Sequence, residues 1–165
     1  MGLFTKRADE KRRTEARQGV KFDDASWHSG GEYPEDLDDE AAATHIGMFL
    51  AWLLLAGHVG GELSQDEVAL LRTRAVTPGQ FLLRYCDGKF VSTELDEAGI
   101  DFALAYYQGR NDRLPFADDY VAAVGFTMGD VYRIPDSWAT FDAVAPVITS
   151  RYEEWNAQGR PIYLT

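Results

Sequence analysis

Ile46-Gly47-Met48-Phe49-Leu50-Ala51-Trp52-Leu53-Leu54-Leu55-Ala56 is the stretch on which the fold turns, and it lies inside Ala41–Gly61, a segment with no Asp, Glu, Lys or Arg. Its strongly apolar part is 11 residues, whereas a bilayer span needs about 20. His45, His58 and four glycines interrupt the wider segment. A helix apolar on every side is one enclosed by other helices. Asp38, Asp39 and Glu40 stand where the positive end of its dipole would fall, and Gly57 supplies a stop. The reading is a central helix over about 41–57.

Outward from that helix, the signals are again helical. Ser64-Gln65-Asp66-Glu67 is a capping box leading into Val68, Leu70 and Leu71. Thr77-Pro78-Gly79-Gln80 is a second, with proline at the first helical position, leading into Phe81, Leu82 and Tyr85. Apolar spacing predicts helices over Glu94–Gln108, Phe116–Val124 and Ser137–Trp155, the last kinked or divided by Pro146. Val131–Ile134 reads as a short extended piece. No Asn-Gly or Asp-Gly turn joins two alternating runs, and no internal repeat is visible. The fold class is therefore mainly α: a single-domain bundle around the central helix, with room for a minor short β element. Residues 20–165 form that domain. Residues 1–19, basic and without an apolar stripe, read as a mobile extension.

The chain has 165 residues, of which 45% are hydrophobic and 21 aromatic, enough for one sizeable core. Its net charge is −11, unevenly placed: residues 1–21 carry +4, so the remainder carries −15. No Lys or Arg occurs between Lys21 and Arg72, a 50-residue stretch with 11 carboxylates. Glu32, Glu35, Asp36, Asp38, Asp39 and Glu40 fall within nine residues. An acidic surface repels nucleic acid and anionic membrane, so neither is an expected partner. A basic protein is, because an unneutralised cluster speeds association and rejects wrong partners. The alternative is a solvated loop entering a helix. Self-association is left open.

No phosphate-cradling, dinucleotide, nucleophile-elbow or paired-histidine metal motif occurs, and Gly57–Gly61 reads as a plain loop. The single cysteine, Cys86, excludes an internal disulfide and a multi-cysteine zinc site and fits a reducing, cytoplasmic compartment. Its place at a helix end beside Asp87 disfavours a thiolate. The histidines are His28, His45 and His58. On one continuous helix His45 and His58 would be about 20 Å apart. A site from His28, His45 and Asp23 or Asp24 requires the loop before the central helix to fold back. The plainer reading has Trp27 anchoring that loop on the core and His28 bonding nearby backbone. No catalytic residue, cofactor or metal is assigned from sequence.

Phe22-Asp23-Asp24-Ala25-Ser26-Trp27-His28 with Gly30-Gly31, and Ala43-Thr44-His45-Ile46-Gly47-Met48-Phe49-Leu50-Ala51-Trp52, resemble two signatures of an uncharacterised bacterial domain family. Thr77–Phe81 and Tyr152–Trp155 are similar to its later stretches, which would extend the likeness over about residues 20–157. The resemblance implies a self-contained bacterial cytoplasmic domain and carries over no activity, substrate or catalytic residue. It does place Asp23, Asp24, Trp27, His28 and His45 in shared motifs, where a common role is to be tested.

Small size, acidity and the lack of a catalytic signature suit a protein-binding domain, most concretely an immunity protein that neutralises a bacterial toxin. The alternatives are an enzyme with a polar pocket around Asp23, Asp24, His28 and His45, or a structural or regulatory interaction protein.

Overall fold

The computed structural model describes residues 3–110 and 113–164. Helix dominates. In chain order the elements are α1 (Leu3–Arg17), β1 (Lys21–Asp24), α2 (Ala25–His28), α3 (Thr44–Leu55), α4 (Gln65–Arg72), α5 (Pro78–Tyr85), β2 (Lys89–Val91), α6 (Glu97–Phe102), α7 (Pro115–Ala123) and α8 (Trp138–Ala157). Short 3-10 turns cover Asp39–Ala43, Ser92–Glu94 and Met128–Arg133, and a π-helical turn covers Ala103–Tyr107. No helix among the described residues is long and apolar enough to cross a membrane.

The central helix is α3, buried from Thr44 through Leu54 and packed against α4, α5 and α8. It is a little shorter than the expected 41–57: the 3-10 turn precedes it, and Gly57, at φ +96°, follows its end. Both capping boxes are present, with Ser64 and Glu67 closing α4 and Thr77 and Gln80 closing α5. Phe49 lies at the centre of an aromatic core whose other members include Phe90, Phe102, Tyr106, Tyr107 and Phe116.

Four expectations change. The segment read as a mobile extension is helix α1, docked on the domain (Met1 and Gly2 lie outside the described residues). It docks through guanidinium groups rather than an apolar stripe, which is why hydropathy missed it. Arg13 and Arg17 both donate to Asp101, at 2.7 and 3.2 Å, and Arg12 donates to Gln108. The helix expected over 94–108 starts at Glu97, capped by Asp96, because Ser92–Glu94 turns the chain out of β2. Residues 131–133 belong to a 3-10 turn rather than a strand, and Ile134 alone is extended after it. The β element is instead the antiparallel pair of β1 and β2, too far apart in sequence for a hairpin signal. Lastly, Pro146 leaves α8 undivided. Pro146 and Asp142 are both exposed, so the Asp142 carbonyl that the proline leaves without an intrahelical donor is on a face open to solvent.

Beneath the turn out of β2, Glu94 is buried at 4% exposure and accepts from the Val91 amide at 3.2 Å. Burial pushes its carboxyl up to about 7, with Glu62 adding repulsion and bonds from Cys86 and Val91 opposing. The folded protein therefore holds a proton that the unfolded chain releases in the ordinary carboxylate range. Stability falls as pH rises through that window and levels off above about 7. Glu94→Gln keeps the acceptor and removes the charge, so it is expected to gain about 1–3 kcal/mol on wild type between pH 5 and pH 8. Thermal melts of both proteins at the two pH values measure this; an equal difference at both would show that the carboxyl does not titrate as stated.

Candidate functional site

The site is assembled where β1 runs into α2. In β1, Lys21 pairs with Val91, Asp23 with Phe90 and Asp24 with Lys89, so Phe22 is the extra residue of a bulge. A bulge breaks the alternation of strand side chains and re-aims one of them. Here Phe22 and Asp23, adjacent in sequence, are both buried. Phe22 packs on Phe90, with ring centroids 4.9 Å apart. Asp24 then caps α2, accepting from the Ser26 amide and hydroxyl at 3.0 and 2.6 Å. That single turn of helix carries His28 back over Asp23.

Asp23 is the hub. Its Oδ1 lies 2.7 Å from His28 Nε2 and accepts from the Asp24 amide at 2.8 Å. Its Oδ2 accepts from the Tyr107 hydroxyl at 2.5 Å and stands 3.7 Å from His45 Nε2. The Tyr132 hydroxyl completes the group, 3.0 Å from His28 Nδ1. The rings of His28 and His45 meet edge to face at 4.7 Å. Burial alone would raise the Asp23 carboxyl, but the bonds from His28 and Tyr107 and the pull of His45 hold it well below the usual carboxylate range. Burial pushes His45 below its ordinary value, against the attraction of Asp23. It also raises the Tyr107 and Tyr132 hydroxyls, and the Asp23 charge adds to both. The result is an anionic carboxylate beside two protonated phenols and a His45 ring whose burial disfavours its charged form.

These residues form the floor of a cleft of about 260 Å³ walled by Phe22, Phe116 and Tyr132. Its rim is apolar and open to solvent: Trp27 is 56% exposed, Leu114 46% and Met128 44%. Trp27 therefore does not anchor the loop on the core. It lies under the Lys21 ammonium, 4.5 Å from the ring centre. His28 bonds side chains, not backbone. Asp24 does not join the cluster, because its carboxylate is used by α2 and by Lys21. His58 is excluded too: α3 ends at Leu55, and His58 pairs with Asp96 at 3.0 Å. Cys86 is buried, and burial together with Glu94 raises its thiol far from thiolate formation.

The acidic segment borders the same cleft. A groove lined by Gly30, Glu32, Tyr33 and Pro34 shares Trp27, His28, Met128 and Tyr132 with it. Asp36 is committed to structure, since Arg133 grips it through two bonds of 2.7 Å and so ties the 3-10 turn carrying Tyr132 to this loop. Asp38 caps the turn before α3 through the Ala41 amide. Glu32, Glu35, Asp39 and Glu40 are exposed, and among the described residues no cation pairs with them. Asp39 and Glu40 share a hollow with Asp24 and Asp87, so folding adds carboxylates to the segment.

Sequence reading missed Tyr107 and Tyr132. Tyr107 follows Tyr106 directly; both are buried, and both fall in the π-helical turn, where the Gln108 amide reaches back to the Ala103 carbonyl at 2.9 Å. A helical spacing rule places adjacent residues about 100° apart and gives no hint of this. Tyr132 was hidden by the extended reading of its segment.

Fold and site together define a mainly helical domain with a two-stranded brace and an apolar-rimmed cleft floored by Asp23, His28 and His45. Residues 21–134 match the family described as "Domain of unknown function (DUF7832)", and the chain belongs to that family. The match takes in every residue of the Asp23 cluster and stops short of α8, so the Tyr152–Trp155 stretch expected to share the likeness lies outside it. No curated protein and no solved structure is significantly similar to the chain.

Proposed function

We propose that this chain is a protein-binding domain that docks a basic partner across the cleft mouth, most concretely a cytoplasmic immunity protein that neutralises a bacterial toxin. One observation carries the reading: Trp27, Leu114 and Met128, three of the large exposed apolar side chains, rim a cleft that runs into an acidic segment whose Glu32, Glu35, Asp39 and Glu40 are exposed and, among the described residues, unpaired. An apolar centre with a charged border is the anatomy of a protein interface, and tryptophan is the commonest anchor in one. The exposed carboxylates of the border supply steering toward a cationic surface.

The test is binding kinetics with the protein that the full chain captures from its native host; on this reading that protein is a basic toxin domain. Trp27→Ala is expected to raise the dissociation rate, weakening the complex by about 2 kcal/mol or more, about 30-fold. Reversing Glu32, Glu35 and Asp39 to Lys spares the Asp36–Arg133 clamp and the Asp38 cap. It is expected to slow association about tenfold or more at low salt, with the difference shrinking as salt rises. Wild-type kinetics in both variants, with the circular dichroism of wild type, would remove the interface from this face.

A second reading, an enzyme acting in the cleft, is favoured by the convergence of Asp23, His28 and Tyr132, which orients an imidazole between a carboxylate and a hydroxyl. Turnover that is lost in His28→Gln while partner affinity persists would decide for it.

A further inference from the structure

His45 is buried in the first turn of α3, yet among the described residues its Nδ1 has no partner, and its Nε2 stands 3.7 Å from Asp23, beyond hydrogen-bond reach. A buried imidazole without a hydrogen bond is costly, and the packing around His45 supplies none. Asp23, His28 and His45 each offer a ligand atom, and these atoms lie within 4.8 Å of one another. We propose that the three side chains bind a divalent transition-metal ion of the zinc or iron kind through two imidazoles and one carboxylate, with its open positions facing the cleft.

The surroundings of Asp23 and His28 are those of metal ligands. Ligating histidines are held by a partner on the other ring nitrogen, and ligating carboxylates are themselves hydrogen-bonded. The Tyr132 hydroxyl is placed to hold His28 through Nδ1, which leaves Nε2 for the ion. The Tyr107 hydroxyl and the Asp24 amide hold the Asp23 carboxylate from two sides. In the absence of an ion, His28 Nε2–H donates to Asp23. When Nε2 takes the ion, the ring proton is carried on Nδ1, where the Tyr132 hydroxyl accepts it. Bonds of about 2.0–2.2 Å set ligand atoms of a tetrahedral site about 3.4 Å apart. His28 Nε2 lies 2.7 Å from Asp23 Oδ1 and His45 Nε2 3.7 Å from Oδ2, and one ligand atom from each side chain falls within 4.8 Å of the others, so side-chain rotations of about an ångström bring them to that spacing. Two imidazoles favour zinc, iron, cobalt or nickel over calcium and magnesium, which take oxygen. All three ligands line the cleft, so an incoming group has access to the ion. This inference is independent of the docking reading.

The test uses the full chain, tag-free and stripped with chelator, titrated with Zn²⁺ by calorimetry and with Co²⁺ by its visible absorption. One ion per chain with a Kd of about 1 µM or tighter is expected. Asp23→Asn, His28→Gln and His45→Gln should each weaken binding more than about 100-fold, and Tyr132→Phe about 10–100-fold. His58→Gln, outside the cluster, should bind as wild type does. The chain has three histidines, so imidazole NMR of the wild type gives a reading even where a ligand variant fails to fold. Zn²⁺ should shift His28 and His45 and leave His58 in place. An absence of saturable binding, shifts confined to His58, unchanged affinity in all three folded ligand variants, or an equal response to Ca²⁺ at the exposed carboxylates would each overturn the proposal.

Discussion

Gly47→Ala is expected to destabilise the protein by about 3 kcal/mol or more, at or above the upper end of ordinary overpacking. A methyl group at position 47 would stand 2.4 Å from the Pro78 carbonyl oxygen, 2.6 Å from its carbon and 2.7 Å from the Gly79 amide nitrogen. These are backbone atoms at the start of α5, held by the Thr77–Gln80 capping box and by Asp136, which accepts from the Gly79 amide at 2.9 Å. They cannot swing away as the end of a long side chain can. The direction is diagnostic, because alanine in a helix interior is otherwise favoured over glycine by about 1 kcal/mol. At this chain length the thermal midpoint should fall by about 6–12 °C. A midpoint within two or so degrees of wild type would mean that α3 and α5 do not cross this closely.

Two residues along the same helix, Phe49→Ala should cost about 3–5 kcal/mol. Phe49 is fully buried, and its ring centre lies 5.0 Å from those of both Tyr107 and Phe116. Removing it opens a cavity between the core and the wall of the cleft. Because Tyr107 donates to Asp23, the loss should reach the site as well as stability. Urea denaturation with near-ultraviolet dichroism measures both effects, and Phe49→Leu should lose less than half as much. Equal losses in the two variants would point to a local defect other than cavity formation.

The two variants also show why the candidate site depends on the core. Tyr107, Asp23 and His45 are carried by three different elements, and those elements meet around the aromatic cluster centred on Phe49. The exposed rim of Trp27, Leu114 and Met128 is in turn set by α2, by the segment leading into α7 and by the Arg133-clamped turn. A docking surface and a metal-binding floor can therefore coexist in one cleft, the first on its mouth and the second at its base.

Much of the framework could be read from local pattern. An uncharged run too short for a bilayer had to be a buried helix, and α3 is one. Ser64–Glu67 and Thr77–Gln80 announced α4 and α5, because capping boxes are satisfied within four residues and need no distant partner. Gly57 as a helix stop was legible for the same reason, whereas the Cys86 thiol is raised by burial and Glu94 rather than by the helix end and Asp87 to which the local sequence points. Other features are matters of distance. Helix α1 is held by guanidinium groups reaching Asp101 and Gln108, partners more than 80 residues away, and no stripe announces such a contact. Strand β1 finds β2 across the whole of α3, α4 and α5. The gathering of Asp23, His28 and His45 was conceivable from sequence, but only if a loop folded back. What folds it back is the bulge at Phe22, the Asp24 cap on α2 and the Asp36–Arg133 clamp. Local chemistry is written in neighbouring residues, whereas convergence is decided by which distant backbones pack together, and that packing placed a carboxylate, two imidazoles and two tyrosines around one point.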